Sequence, residues 1–344
     1  MPVTLKDIAN ELGLSPNTVS RALRDMPDIG AATTSLVKET ATRLGYQKNL
    51  AASRLRTNKS LLLGMVVTNI CNPVFAPMIK GAETTCSQSN YTLLLGNSNE
   101  NAKEEDKVIS NMLKHGIDGL LLVPSMINSD VISKLNAAKI PYVILQRKFE
   151  NISSNYVRSD DFSGGVLAAE HLYNLGHRKF LYVAAPMHIS SSSERYRGFL
   201  SFLKEKDLSE NSIVVLECDG TRIGSKIAVD KWIKQHSDYH KLSATAFFCF
   251  SDYVAYGAYS ALAKYNISIP NDISVIGYDN NEYADMTLPP LTTVDIRPYK
   301  IGQYSASQLI KIINTEDSDN IFYETVIPPK LIIRSSTTNI IVSD

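Results

Sequence analysis

The sequence predicts a small all-α head followed by an α/β core of two doubly wound parallel sheets. Three observations lead there. Residues 5–23 hold two short helical patterns that meet at a tight turn. From Leu61 onward, short apolar runs alternate with amphipathic helical stretches, and the alternation starts afresh after Asp160. Charge is divided as sharply as pattern: the chain has 35 basic and 35 acidic residues, but the first sixty hold nine basic against five acidic, leaving 26 against 30. The head is therefore basic and the body acidic, although the whole is neutral.

In the first helix Leu5, Ile8, Ala9 and Leu12 recur at helical spacing, and Gly13 stands where a helix ends in the left-handed conformation. The second helix opens in the stretch LSPNTVSRAL. Ser15 is a good N-cap, and Pro16 suits the first helical position, where its missing N–H costs nothing. Val19 and Leu23 give this helix a narrow apolar face, leaving Asn17, Thr18, Ser20, Arg21 and Arg24 on the others. A helix-turn-helix of this kind lays its second helix in the DNA major groove, its N-terminal residues facing base edges. An αα-hairpin in a small bundle fits the two helices equally well, and charge decides between them. From Arg43 to Lys59 there are five cations (Arg43, Lys48, Arg54, Arg56, Lys59) and no carboxylate. A solvated face normally has both signs; one sign alone suits a segment lying along phosphates.

The core begins with LLLGMVV (61–67), YTLLLGN (91–97), GLLLVPS (119–125) and PYVILQR (141–147), which read as buried strands with helices near 75–90, 102–115 and 129–139. KFLYVAAP (179–186), IVVLECD (213–219), ATAFFCFSD (244–252) and ISVIGYDN (273–280) repeat the pattern. Two such halves imply a cleft lined by loops at the carboxyl ends of the strands. No apolar run approaches the eighteen or so residues of a membrane span, and no signal peptide opens the chain, so a cytoplasmic protein is expected. Cys71, Cys86, Cys218 and Cys249 are widely spaced, which suggests buried free thiols rather than metal ligands or disulfides.

The loops show no chemistry of catalysis. TNICNPVF, after the first strand, lacks the glycine spacing of a dinucleotide or phosphate loop, and no His-Glu-x-x-His or Gly-x-Ser-x-Gly occurs. His171 and His177 flank a helix, where capping and packing are the usual roles. No catalytic residue, metal or cofactor is expected. Asn72, Phe75, Arg195, Ser251, Asp252 and Asp279 follow strand ends or open the next helix. An aromatic plate beside carboxylates and an arginine fork suits the apolar face and hydroxyls of a sugar.

VTLKDIANELGLSPNTVSRAL, TATRLGYQKN and AASRLRTNKS resemble the DNA-binding head and hinge of the lactose repressor (LacI/GalR) family of transcriptional regulators. NPVFAPMIKGAE, GGVLAAEHLYNLGH, ERYRGF, SDYVAYGAYSAL, IPNDISVIGYDN and PPLTTVDI resemble that family's core, in order and across essentially the whole chain. The resemblance implies a helix-turn-helix head over 1–47, a hinge helix and linker over 48–60, and a two-lobed core like that of periplasmic binding proteins. One lobe would comprise 61–162 with 294–326, the other 163–293 with 327–344. Pro16, Asn17 and Arg21 then match base-reading positions, and Thr18 and Ser20 match phosphate-contacting ones. Leu55 matches the hinge leucine wedged into the minor groove, with Ala52 beside it; such a wedge unstacks a base step and bends the duplex. Leu5, Ser15, Tyr46, Asn49 and Arg56 complete the DNA-contacting set. Phe75, Arg195 and Asp279 match effector-pocket positions, Ser251 stands where several members have asparagine, and Asp252 follows it.

The family pattern implies a repressor that binds a near-palindromic operator as a homodimer and responds to a small effector, a sugar or sugar derivative. The chain ends KLIIRSSTTNIIVSD, without the leucine heptad of lac-type tetramers. Departures occur as well: Gly30 replaces a usual serine cap, Thr34 a common arginine and Lys48 a frequent proline, and CDGTRIG (218–224) lacks the aromatic many members place there. A purine or nucleoside effector, or a phosphoprotein corepressor, is the alternative within the class. Outside it stand a sugar-binding protein with no DNA role and, third, an enzyme.

Overall fold

Thr4 starts the first helix because it and Asp7 satisfy each other's backbone: Thr4 N donates to Asp7 Oδ2 at 2.8 Å and Asp7 N donates to Thr4 Oγ1 at 3.4 Å. That helix, α1 (Leu5–Leu12), ends at Gly13, whose φ of 65° is the left-handed conformation expected of it. Ser15 Oγ accepts from Thr18 N at 3.0 Å and opens α2 (Pro16–Ala22); α3 (Ala31–Arg43) begins after Gly30, which makes no side-chain cap. Ile8, Ala9, Val19, Ala22, Val37 and Ala41 close a small core among the three helices. In this computed structural model, which describes residues 3–46, 59–125, 130–235, 243–315 and 322–340, the chain divides into two units, Met1–Ser60 and Leu61–Asp344. The hinge residues Asn49, Ala52, Leu55 and Arg56 lie outside the described residues.

The second unit holds two six-stranded sheets. The first is built from β1 (Leu62–Val67), β2 (Thr92–Asn97), β3 (Gly119–Leu122), β4 (Tyr142–Leu145) and β5 (Tyr156–Ser159), with β11 (Glu324–Ile327) arriving late in the chain. The second contains β6 (Phe180–Ala184), β7 (Ile213–Glu217), β8 (Ala246–Cys249), β9 (Ser274–Asp279), β10 (Thr292–Asp295) and β12 (Lys330–Ile332). Their orders are β11-β5-β4-β3-β1-β2 and β12-β10-β9-β8-β6-β7; all neighbours are parallel except β12 on β10. The helices between are α4 (Phe75–Gln88), α5 (Ala102–His115), α6 (Asp130–Ala137), α7 (Asp161–Asn174), α8 (Ser190–Glu205), α9 (Arg222–Lys234), α10 (Asp252–Lys264) and α11 (Pro298–Asn314).

The chain passes between the two layers three times, after Ser159, after Asp295 and after Ile327. The second passage comes later than the expected break after residue 293, because Val294 and Asp295 pair with Tyr278 and Asp279 of β9. The runs at 91–97 and 213–219, expected as buried strands, form β2 and β7, the outer strands of their sheets, and are largely accessible. Being outermost, each has one neighbour only. Cys86 and Cys249 are buried free thiols, but Cys71 is exposed because it lies in the turn leading to α4, and Cys218 is half-buried.

Two helix contacts fix the site. A Cβ at Gly165 would lie 2.1 Å from the Arg195 carbonyl oxygen, and one at Gly198 would lie 1.9 Å from that of Phe162. Only glycine allows α7 and α8 to approach this closely, and the approach brings the start of α7 beside Arg195. Behind them Tyr182 stacks on Phe248, ring centroids 5.0 Å apart, and Phe248 on Phe199 at 5.1 Å.

Candidate functional site

In the head, Pro16 and Asn17 at the start of α2 are exposed, and Thr18 and Ser20 half-buried. Ser15 is occupied as N-cap and also bonds the Thr18 hydroxyl at 2.8 Å. Leu5 and Tyr46 pack against the helical core, which makes the support of the second helix their visible role. Arg21 is paired: its Nε donates to Asp28 Oδ2 at 2.8 Å, and both side chains are open to solvent. One face of α2 is therefore polar and at least partly open to solvent, while Val19 and Ala22 bury the other.

In the second unit the carboxyl ends of β1, β3 and β4 face those of β6, β7, β8 and β9 across a cavity of about 310 Å³. This is the crevice that doubly wound sheets offer to ligands. Phe75 lines it from the first turn of α4, Arg195 from the second turn of α8, and Asp279 from the end of β9. Asn72 lines it too, its Oδ1 accepting from Val74 N at 3.2 Å to shape the turn before Phe75. Ser251 and Asp252 are not among the lining residues. Ser251 instead caps α10 by accepting from Val254 N at 3.2 Å, and Asp252 accepts from Thr293 Oγ1 at 2.6 Å and Asn281 N at 2.8 Å.

Arg195 is fully engaged except at one nitrogen. Nε donates to Asp161 Oδ1 at 2.8 Å and Nη1 to the Phe250 carbonyl at 2.5 Å. The guanidinium lies 3.7 Å from the ring centroid of Tyr278 and 4.6 Å from that of Phe250. Burial disfavours its charge, yet Asp161 foremost, then Tyr278 and Asp279, raise its pKa above the ordinary value. Its acidic neighbours are engaged elsewhere: Glu194 pairs with Arg197, and Asp219 accepts from Thr221. Asp279 is 3% exposed and has a φ of 107°, rare outside glycine. Burial drives its carboxyl well above the ordinary range; Arg195 opposes this, and Asp252 and Asp161 add to it.

Sequence reasoning missed the opposite wall. Arg147 and Glu100 line the cavity as a forked ion pair, Nη1 to Oε2 at 2.8 Å and Nη2 to Oε1 at 2.6 Å. The signal for Arg147 was present, since Gln146 and Arg147 follow the apolar PYVIL run directly. The loop at 218–224 lines the cavity without an aromatic, and Phe250 supplies the second ring instead. Among the described residues no group of His, Cys, Asp and Glu is placed to hold a metal, and no helix is long and apolar enough to cross a membrane.

Comparison with known proteins places the head and the two-layered core in known families. Residues 4–49 match the family model of bacterial regulatory proteins, lacI family, and residues 169–337 that of a periplasmic binding protein-like domain. The HTH-type transcriptional repressor PurR of Aliivibrio fischeri (strain MJ11) is 30% identical over 337 residues, 98% of each chain. That of Actinobacillus pleuropneumoniae serotype 3 is 29% identical over 339 residues, 98% of this chain and 99% of its own. A LacI family transcriptional regulator from Enterococcus faecalis V583, solved with bound ribose, is 31% identical with a TM-score of 0.72, over 81% of this chain and 99% of that one. The lac repressor dimer bound to operator and an anti-inducer shares the fold over 98% of this chain and all of its own, at 23% identity and a TM-score of 0.86. With that head, that two-layered core and these full-length relatives, the chain belongs to the LacI family and is a DNA-binding transcriptional repressor, not an enzyme.

Proposed function

We propose that this repressor binds a near-palindromic operator as a homodimer and that a small molecule in the cavity sets its operator affinity. Pro16, Asn17 and Arg21 read bases, Thr18 and Ser20 approach phosphates, and Arg195, Asp279 and Phe75 hold the effector. The observation that supports an effector is Asp279: its buried carboxyl lines the cavity, and Arg195 Nη2 stands 3.9 Å from its Oδ1, beyond hydrogen-bond reach. A ligand hydroxyl or N–H would give that cavity-facing carboxyl a hydrogen-bond partner. A polyhydroxylated ring of pentose size suits the polar walls and the volume.

A purine base or nucleoside is the other reading, and the full-length relatives named PurR favour it over a sugar. Its N–H groups would meet the same carboxylate, and its plane the ring of Phe75. The effector's preference for one state of the protein must equal its effect on operator affinity, whichever ligand it is.

Two measurements test this. A gel shift with DNA from upstream of the protein's own gene should show sequence-dependent binding that weakens steeply with salt. A thermal-shift panel of pentoses, hexoses, purine bases and nucleosides should yield a ligand that raises the melting temperature and changes operator affinity. Stabilisation by a ligand without any effect on operator binding would overturn the effector assignment.

A further inference from the structure

Asp161 is the first residue of α7, directly after the chain's first passage between the layers, and it does not line the effector cavity. It nevertheless owns the strongest contact to the cavity's arginine. Asp161 and Arg195 are 3% and 5% exposed at their side chains, with Oδ1 accepting from Nε at 2.8 Å. Arg195 Nη2 is 3.9 Å from Asp279 Oδ1, beyond hydrogen-bond reach. The buried cluster thus contains two carboxyl groups and one guanidinium, and the acid that does not face the ligand holds the base.

We propose that Asp161 is a positioning residue that keeps Arg195 off Asp279, leaving both the Nη2 edge and the Asp279 carboxylate open to the effector. This rests on the effector reading given above. Without the Asp161 charge, Asp279 is the remaining buried acid beside the guanidinium. The gap would then close to the length of a charge-assisted hydrogen bond, about 2.8 Å, and the two groups would satisfy each other instead of a ligand. The packing allows Asp161 to enforce the separation. Gly165 seats α7 on the Arg195 carbonyl, and Gly164 seats it against the Tyr278 hydroxyl, so neither partner can drift. The guanidinium carbon also lies over the Tyr278 ring, 3.7 Å from its centroid. Asp161 faces Arg158 of β5, Tyr278 of β9 and Arg195 of α8, whereas Asp279 faces Arg195, Asp252 and Asp161.

The test compares wild type with Asp161→Asn, which keeps shape and loses charge, and with Asp161→Ser should the first variant fail to fold. Protein labelled with ¹³C at aspartate carboxyls, with the Asp279 signal assigned from Asp279→Asn, reports the titration of Asp279 without any ligand. The Asp279 pKa should fall on removal of the Asp161 charge, and a crystal structure of Asp161→Asn should show Arg195 Nη2 moved from 3.9 Å to within hydrogen-bond distance of Asp279 Oδ1. An Arg195 that stays in place, or an Asp279 pKa that is unchanged or rises, overturns the proposal. D-ribose, adenine and adenosine are then titrated calorimetrically. Whichever binds wild type should bind Asp161→Asn roughly tenfold more weakly or worse, on the scale of one hydrogen bond to a charged group; equal affinity also overturns it. If none binds wild type, the effector reading loses its support for these ligands, while the carboxyl titration and the structure still decide the role of Asp161.

Discussion

Arg147 and Glu100 form a two-pronged ion pair on the first-sheet wall of the cavity, and Arg147 Nη1 also donates to the Pro124 carbonyl at 2.6 Å. The arginine side chain is 7% exposed and the glutamate 34%. One wall of the cavity is therefore a preset plane of donors and acceptors, opposite Arg195 and Asp279. Lysine cannot reproduce that fork. Arg147→Lys should weaken effector binding by about tenfold, the scale of one lost hydrogen bond to a charged group, while operator binding without effector stays at the wild-type level. Calorimetry and a gel shift on the same preparation check both halves.

Ser251 separates capping from ligand contact. Its hydroxyl accepts from Val254 N, the role of an N-cap, and it lies away from the cavity lining. Ser251→Ala should cost about 1 kcal/mol of stability, as lost caps do, with effector affinity unchanged. Denaturant unfolding beside a ligand titration decides. A variant that loses affinity as much as stability would return Ser251 to the site.

These two residues show how far the sequence was legible. Long apolar runs announced eight strands, but β5, β10, β11 and β12 are short and contain Arg158, Thr292, Asp295, Glu324 and Lys330, so hydrophobic pattern alone could not raise them. Strand ends were located well, yet at a strand end successive side chains point to opposite sides, and a shift of one position exchanges wall for scaffold. Phe250 lines the cavity, whereas Ser251 turns back onto its helix. Asp161 and Glu100 were invisible for another reason: their partners Arg195 and Arg147 are distant in sequence, and only the packing of layers joins them.

Two buried groups should give opposite pH dependences. Burial lowers the His177 pKa to about 4, with its ring nitrogens bonded to Thr245 Oγ1 at 2.9 Å and Ser274 Oγ at 3.0 Å. The folded value is depressed for a base, so its contribution is present above the unfolded value of about 6.5 and is lost as pH falls toward 4. Burial raises the Asp252 carboxyl to about 7. That folded value is raised for an acid, so its contribution is present below the ordinary carboxylate range of about 4 and is lost as pH rises through 7. Between pH 4 and 7 the two offset each other. His177→Gln should therefore make the melting temperature fall more with rising pH over this window than in wild type, and Asp252→Asn should make it rise more. Parallel profiles for all three proteins would show that neither group couples to folding.

The ion pair of Arg21 with Asp28 sets the last expectation, at the DNA face. Both groups are open to solvent, and the contact lowers the Asp28 pKa and raises that of Arg21, chiefly through the hydrogen bond between them. An exposed pair of this kind is weak and salt-screened, so DNA can draw Arg21 away at little cost. Asp28 is then a mild competitor for the arginine. Asp28→Asn should tighten operator binding, by no more than about fivefold on the scale of surface ion pairs, with the gain shrinking as salt rises. Arg21→Ala should weaken operator binding far more than binding to unrelated DNA, because a base contact specifies whereas a phosphate contact only positions. If Arg21→Ala lowers both affinities equally, Arg21 is a phosphate contact and the bases are read by Pro16 and Asn17 without it.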